Sequence, residues 1–171
     1  YTGEDTLSLH DALPILLRAA EPMANRNIYT RPFIILALET AMRRGELLGL
    51  RWSDIDPQKR TAFLKMTKNG ESRCVPLSTR AIETLRLLPI SIDGRVLPIN
   101  FAALETNFKR ATRRAGISNL RIHDLRHTAT TRLAEKLSNV LELSAVTGHK
   151  QLNMLKRYYH PNPAVLALKL S

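Results

Sequence analysis

Aromatic residues, cysteines and long apolar runs are all scarce in this chain of 171 residues. Aromatics make up 5% of it against 44% hydrophobic residues, so the core is expected to consist mainly of Leu, Ile, Ala and Val. The single cysteine, Cys74, excludes an internal disulfide and indicates a cytosolic protein. No apolar run approaches the roughly 18–20 residues that span a bilayer, and no secretion signal is recognisable. We therefore expect one cytoplasmic domain that contacts no membrane.

Acidic residues are scarce relative to basic ones. Lys and Arg total 26 against 15 Asp and Glu, which gives a formal net charge of +11 and a pI near 10.4. A compact domain with this charge repels itself unless an anionic partner neutralises it. Nucleic acid is the usual partner, because bound phosphates release counterions. The composition favours DNA or RNA binding, although charge alone also fits a ribosome-associated or simply basic soluble protein.

The N-terminal segment looks foreign to the rest of the chain. Residues 6–15 match the translation of one reading frame of a common sequencing-adapter oligonucleotide, and a chance match of ten residues is very improbable. We expect residues 1–15 to be a non-native, adapter-derived segment that packs on nothing the rest of the domain needs. The alternative is a native helix start with Ser8 as its cap. On the adapter interpretation, the domain proper covers residues 16–171.

Hydrophobic periodicity predicts a mainly α domain with a small antiparallel β-hairpin sheet, an α+β fold. Ser78 and Asn100 are expected to cap two of the helices, and an Asn-Gly pair at residues 69–70 predicts a hairpin turn. The strands flanking that turn are expected at residues 61–66 and 72–77, and residues 52–57 as a turn. Helices are expected near residues 16–20, 32–41, 46–50, 78–88, 100–115, 123–136, 139–147 and 150–158.

Residues with the side chains that phosphodiester chemistry needs occur in order along the chain: Arg43, Lys68, His123, Arg126, His149 and Tyr158. An arginine presents a planar fork that matches two phosphate oxygens. Imidazoles and an ammonium move protons, and a phenol attacks when cations stabilise its anion. Each signal is weak alone, because an isolated arginine, histidine or tyrosine is more often an ordinary surface or core residue.

A metal site is a competing interpretation of the histidines. His123 and His127 are four residues apart and therefore share a face of the predicted helix. However, no Glu follows His123 in the metalloprotease pattern, and no cluster of carboxylates or cysteines completes a ligand set. We expect neither a metal nor another cofactor.

In their local sequences, these residues resemble the conserved boxes of the tyrosine recombinase family, the phage-integrase type. Residues 41–50 match the family's first arginine box, and Lys68 matches its hairpin lysine. Residues 123–128 match its HxxR box, and residues 147–149 match its Gly-His box. The family nucleophile lies nine residues beyond the histidine of the Gly-His box, His149, and this offset selects Tyr158. The resemblance runs from about Leu16 to the C-terminus. One departure is Ala41, where the family usually has Gly, and only a small backbone effect is expected.

The resemblance implies the catalytic domain of a site-specific DNA recombinase or integrase. Tyr158 would attack the scissile phosphate, form a 3′-phosphotyrosyl link and release a 5′-hydroxyl. Arg43 and Arg126 would hold the non-bridging oxygens and stabilise the charged transition state. Glu46, one helical turn after Arg43, would support it.

The family chemistry also implies roles for the proton-moving residues. Lys68 is the expected general acid for the leaving 5′-oxygen. His123 would assist as base or donor toward Tyr158, and His149 would donate to the phosphate. Because the covalent link stores the bond energy, the reaction needs neither ATP nor a metal.

The expected partners are double-stranded DNA and further copies of the chain in a recombination tetramer. Family members carry an N-terminal helical domain that clamps the DNA, which the sequence lacks on the adapter interpretation. Residues 161–171 are expected to form a tail helix that docks on a neighbouring protomer through Val165, Leu166, Leu168 and Leu170. The setting implied is a bacterial or phage-encoded protein of a mobile element, located in the cytoplasm at the nucleoid.

Two other classes of protein remain as alternatives. A non-catalytic DNA-binding regulator derived from a recombinase would share the fold, but the complete set of site residues argues against it. A metal-dependent nuclease would cleave the same bond, but the sequence lacks the carboxylates that such a site needs.

Overall fold

A computed structural model describes residues 9–22, 28–65, 72–137, 139–159, 163–168 and 170. The domain is mostly helical with one three-stranded antiparallel sheet, which confirms the predicted fold class. In chain order the elements are α1 (Leu9–Ala19), α2 (Thr30–Thr40), α3 (Arg44–Gly49), β1 (Ile55–Asp56), β2 (Thr61–Leu64), β3 (Arg73–Pro76), α4 (Thr79–Arg86), α5 (Phe101–Arg114), α6 (Ile122–Lys136), α7 (Val140–Thr147) and α8 (Pro163–Ala167). None of the described helices is long and apolar enough to cross a membrane.

Helix α2 forms the centre of the domain. Its residues from Phe33 to Leu38 are all buried, as expected for a helix that is apolar on nearly every side. Pro32 lies in the first turn, where a missing N–H breaks no helical hydrogen bond. Helices α4 and α6 pack against α2, and α2 ends at Ala41 in the left-handed conformation. A rigid, buried helix therefore sets the position of the residues that follow Ala41.

The sheet has the strand order β1-β2-β3. Strands β2 and β3 pair with Ala62 opposite Val75, so the two predicted strands are confirmed. Strand β1 was not predicted, because its two residues lie in a stretch that the sequence analysis interprets as a turn. Lys68 and the Asn-Gly pair belong to residues 66–71, which lie outside the described residues.

The predicted helix caps are confirmed, but one predicted helix is wrong. The Ser78 side chain accepts from Ala81 N at 3.1 Å, and Asn100 Oδ1 accepts from Ala103 N at 2.8 Å. Residues 150–158 form two 3₁₀ turns, Leu152–Met154 and Lys156–Tyr158, instead of one helix. Leu155 is the only buried side chain in this stretch, too little apolar surface to hold a regular helix in place.

Helix α1 begins at Leu9, well before the predicted start near residue 16. Ala12 is buried and Leu13 is 7% exposed within the main core. The expectation that residues 1–15 pack on nothing is therefore wrong for these two residues. Their adapter origin stays a prediction, because a foreign apolar segment that continues a helix can settle on an exposed apolar surface.

Among the described residues, buried apolar side chains form two hydrophobic clusters. The main core joins α1, α2, α4, α5 and the sheet around Phe33, Leu36 and Phe108. A much smaller cluster consists of Ala134, Leu143 and Leu155, with Tyr158 and Tyr159 packed against it. The candidate site draws residues from both regions.

Candidate active site

Arg43 lies directly before α3, where the left-handed end of α2 redirects the chain. Its backbone N–H donates to Glu46 Oε2 at 2.6 Å, and its Nη1 donates to Glu46 Oε1 at 3.0 Å. Nη2 donates to the Gly148 carbonyl at 3.0 Å. The side chain remains 32% exposed. Glu46 therefore orients the Arg43 guanidinium but leaves part of it open to a ligand.

Arg126 projects inward from α6 and is buried. Its Nη1 donates to the Ala41 carbonyl, and its Nη2 donates to the Thr147 carbonyl at 2.7 Å. Burial, followed by the nearby charge of Arg43, lowers the pKa of Arg126 to about 10. Arg126 thus stays protonated at neutral pH, and it is held by peptide carbonyls at the ends of α2 and α7.

The hydrogen bonds around His149 define its tautomer. The Thr147 hydroxyl donates to Leu143 O at 2.7 Å, so its oxygen accepts from His149 Nδ1 at 2.7 Å. Nε2 then carries the lone pair and lies 3.5 Å from Nη2 of Arg126, which is only a donor. Burial, then the charges of Arg126 and Arg43, lower the pKa of His149 to about 4. In this state the ring is neutral and can accept a proton at Nε2.

His123 and His127 flank Arg126 on the exposed face of α6. Their rings meet edge to face with centroids 4.8 Å apart. Burial, then the charges of His127 and Arg126, hold the pKa of His123 below its usual range. The part of the chain that the structure describes contains no group of three or more His, Cys, Asp or Glu arranged to hold a metal ion.

These side chains converge on one hollow of about 500 Å³ that is lined by Arg43, His123, Arg126, His127 and His149. The hollow is cationic and open to solvent, and it has room for a phosphodiester group. Of the residues predicted for the site, only Lys68 lies outside the described residues. Arg43 and Arg126 face the same space, as the proposed grip on one phosphate requires.

The two adjacent tyrosines have different partners. Tyr158 ends the second 3₁₀ turn, and its Oη lies 3.0 Å from Nδ1 of His127, a residue that lines the hollow. Tyr159 turns away and donates its hydroxyl to Leu137 O at 2.7 Å. Burial raises the pKa of Tyr159, as does the nearby Glu142 carboxylate. The phenol at the hollow is therefore that of Tyr158.

The structure adds His127 and Arg73 to the site, neither of which the sequence analysis placed there. His127 is the hydrogen-bond partner of the Tyr158 hydroxyl, a role that the family resemblance suggests for His123. The available signal was its position beside Arg126 on the same helix. Arg73 forms a two-pronged ion pair with Glu46, with both N···O distances 2.8 Å. Nothing in the sequence links these two residues, which lie 27 positions apart.

We refer to Arg43, Glu46, Arg73 and Arg126 as the arginine cluster, and to residues 152–159 as the tyrosine segment. The fold thus presents an anion site beside a phenol, with imidazoles between them. Residues 8–164 match the phage integrase family, and the chain belongs to that family.

Individual relatives agree with this assignment. The chain is 43% identical over 154 residues to a shufflon-specific DNA recombinase of Escherichia coli, covering 90% of this chain and 40% of that protein. It is 34% identical over 132 residues to tyrosine recombinase XerA of Saccharolobus solfataricus, covering 74% and 44%. The chain therefore spans less than half the length of these relatives.

Among solved structures, the catalytic domain of bacteriophage HP1 integrase superposes with a TM-score of 0.70 at 26% identity. That match covers 91% of this chain and 88% of the other, so the described fold corresponds to nearly all of a catalytic domain.

Proposed function

We propose that this chain is the catalytic domain of a site-specific DNA recombinase or integrase. It would cleave and rejoin DNA strands through a 3′-phosphotyrosyl intermediate. The observation that carries the proposal is the convergence of Arg43, Arg126 and His149 on one hollow, with the Tyr158 hydroxyl hydrogen-bonded to another lining residue, His127. Anion binding and a nucleophile in contact with an imidazole are the parts that phosphotyrosyl transfer requires.

The phosphate would lie between Arg43 and Arg126. Both guanidiniums are fixed before substrate arrives, so they stabilise the developing charge without further reorganisation. An anionic phosphate would also offset the positive charges that depress the pKa of His149. His149 would then take up a proton at Nε2 and donate a hydrogen bond to a phosphate oxygen.

The covalent step moves one proton away from Tyr158 and one toward the leaving group. Tyr158 Oη forms a bond to phosphorus while the bond from phosphorus to the 5′-oxygen breaks. The phenolic proton passes to Nδ1 of His127, against which His123 packs, and Lys68 protonates the 5′-oxygen. The reverse steps, with a 5′-hydroxyl as the attacking group, rejoin the strands.

The same proposal names double-stranded DNA as the partner. A net charge of +11 favours a phosphate-rich ligand, and one relative carries DNA recombinase in its name. We further propose that copies of the protein assemble as a tetramer on DNA, in a bacterial or phage setting. Because the chain spans 40% of that relative, the complete reaction would need sequence beyond this domain.

Trapping the covalent intermediate tests the proposal directly. The chain is mixed at low salt with duplexes whose sequence is randomised around a nick, because the target site is unknown. Cleavage close to the nick releases a short fragment, which stops religation and traps the enzyme on DNA. The expected result is an adduct that survives denaturation, resists EDTA and carries DNA on the Tyr158 peptide.

The other outcomes separate the alternatives. Binding without any adduct would favour the non-catalytic regulator. Cleavage that EDTA abolishes would favour a metal-dependent nuclease. An adduct on a different residue would contradict the assignment of Tyr158 and leave the reaction class intact.

A further inference from the structure

Arg73 begins β3, on the sheet, yet its side chain reaches the back of the candidate site. Its two terminal nitrogens donate to Glu46 Oε1 and Oε2, both at 2.8 Å. Its Nε donates to the carbonyl of Val146, in the last turn of α7, at 3.3 Å. The side chain is only 12% exposed. All three guanidinium nitrogens donate to protein acceptors, and Arg73 is not among the residues that line the hollow, so it is not placed to bind the phosphate.

Glu46 connects Arg73 to Arg43. Each carboxylate oxygen accepts one hydrogen bond from Arg73 and one from Arg43, either from its backbone N–H or from its Nη1. Burial alone would raise the pKa of Glu46, but the hydrogen bonds from Arg73 and from the Arg43 backbone outweigh it and lower the pKa. The carboxylate is thus charged and saturated, and it is fixed from two sides.

The turn before His149 lies directly over the Arg73 guanidinium. Gly148 has a φ of 69°, and a Cβ built there would lie 2.7 Å from Arg73 Cζ. The carbonyl of the same glycine accepts from Arg43 Nη2. Arg73 therefore touches the two segments that carry Arg43 and His149, and it is itself part of the β2–β3 hairpin. Lys68 lies five residues earlier, between those strands in the sequence.

We propose that Arg73 is a positioning residue, an inference that rests on the proposed function. Arg73 fixes Glu46, and through it Arg43, against the Gly148 turn. It thereby keeps the phosphate-binding groups in register with strand β3. Because Arg73 takes up half of the hydrogen-bonding capacity of Glu46, that carboxylate orients Arg43 without drawing its guanidinium away from the substrate.

Arg73→Lys is the decisive variant, because it keeps the positive charge and removes the two-pronged geometry. Adduct formation on the nicked duplexes, measured at saturating protein, should slow by roughly 10- to 100-fold, as for a lost charge-assisted hydrogen bond. DNA affinity should be unchanged within about twofold, because Arg73 touches no ligand. Arg60→Lys is the matched control, since Arg60 bonds to Leu77 O beyond the other end of β3.

A double-mutant cycle with Glu46→Gln tests whether Arg73 acts through Glu46. If it does, the double variant is no slower than the slower single variant. Multiplicative rate losses, or a wild-type rate for Arg73→Lys, would overturn the inference.

A second readout does not depend on catalysis. The His149 ring titrates in the field of Arg126, Arg43, His127 and Arg73. NMR titration of the DNA-free protein should show the His149 pKa rising in Arg73→Lys, where the charge is kept but Arg43 is released. An unchanged titration curve would count against the positioning role. If the wild-type chain forms no adduct at all, the proposed function fails, whereas this titration still decides the role of Arg73.

Discussion

The arginine cluster and the tyrosine segment both contribute residues to one hollow, but they are held in different ways. Arg126 is buried, and Arg43 and Arg73 are fixed by a shared carboxylate and by main-chain carbonyls next to the main core. The tyrosine segment consists of two 3₁₀ turns, joined to the small cluster by buried Leu155 and by the partly buried rings of Tyr158 and Tyr159. The Tyr158 hydroxyl contacts exposed His127 at one point.

This difference matches what each side has to do. Groups that stabilise charge are effective when they are oriented in advance, because reorganisation during the reaction costs free energy. A nucleophile must move toward the phosphate and remain attached to DNA, so it benefits from a segment with few buried contacts. We infer that the arginine cluster is the fixed reference and the tyrosine segment the part that adjusts.

The largest effect is expected from removing the Tyr158 hydroxyl. Tyr158→Phe should abolish the covalent adduct and spare DNA binding, because the ring and its packing remain. Tyr159→Phe is the control, since that hydroxyl donates to Leu137 O, and the variant should still form the adduct. Denaturing gels and filter binding measure both quantities. An adduct that persists in Tyr158→Phe and disappears in Tyr159→Phe would show that the two roles are reversed.

Gly148→Ala should disturb the arginine cluster, the fixed part of the site. The left-handed φ of 69° disfavours alanine, and the new Cβ would push against the Arg73 guanidinium. We expect a loss of about 1–3 kcal/mol in the free energy of unfolding, measured in urea, together with slower adduct formation. Gly49→Ala is the matched control, because its Cβ would meet nothing within 4 Å. Equal effects of the two substitutions would contradict the role assigned to this turn.

His127→Ala tests the contact between α6 and the tyrosine segment, the part of the site inferred to adjust. Loss of the proposed proton acceptor of Tyr158 should slow adduct formation by about 100-fold, the lower end of what a general base contributes. The free energy of unfolding should change little, because His127 is exposed. In single-turnover kinetics, a rate equal to that of the wild type would mean that this contact belongs only to the DNA-free state.

The pH dependence of the free energy of unfolding should reveal the protonation of His149, which lies beside Arg126 of the arginine cluster. Its pKa falls from 6.5 to about 4 on folding, so the unfolded chain binds more protons between these values. Stability should therefore decrease as the pH falls from about 6.5 toward 4. His149→Gln should flatten this slope more than His123→Gln, although the pKa of His123 is also lowered. Urea midpoints at several pH values measure the effect, and parallel curves for wild type and His149→Gln would contradict it.

The smallest effect is expected from Ala41→Gly. Ala41 has a φ of 50°, a conformation that costs alanine roughly 1–2 kcal/mol and glycine almost nothing. Since glycine loses more backbone entropy on folding, the net gain in stability should be below about 1 kcal/mol. The site should keep its activity, because the Ala41 carbonyl remains. A lower melting temperature for Ala41→Gly would show that packing of the Ala41 methyl group contributes more to stability than the left-handed backbone costs.

Much of the fold can be predicted because its signals are local. The apolar run of α2, the caps Ser78 and Asn100, and the alternating strands β2 and β3 depend on near neighbours in the sequence. The two-residue strand β1 carries too few residues for a periodic signal. The start of α1 at Leu9 agrees with the alternative of a helix start after Ser8, which the adapter interpretation set aside, because the origin of residues 1–15 says nothing about how they pack.

The residues of the candidate site could be proposed from the sequence, but most of the contacts between them could not. Arg43, His123, Arg126, His149 and Tyr158 were chosen because their type, order and spacing resemble the family's boxes. The structure brings them together, and their catalytic roles stay predictions. Tertiary contacts decide which atoms meet, so the ion pair of Arg73 with Glu46 had no signal in the sequence. For the bond of Tyr158 to His127, the only signal was the position of His127 beside Arg126. The expected pairing of Arg43 with Glu46 could be predicted, since residues three apart are neighbours on a helix.

Main-chain oxygens hold the guanidiniums of Arg43 and Arg126, and this has a consequence for how the sequence can change over time. The carbonyls of residues 41, 147 and 148 belong to the main chain, so a substitution that preserves the backbone conformation keeps all three acceptors. Substitution can therefore alter residue 41, as alanine in place of the usual glycine illustrates, without deleting an acceptor. Peptide carbonyls also carry no formal charge, so they restrain Arg126 without neutralising it, whereas Arg43 shares the Glu46 carboxylate with Arg73. With three guanidiniums and one carboxylate, the cluster keeps a positive charge at the anion site.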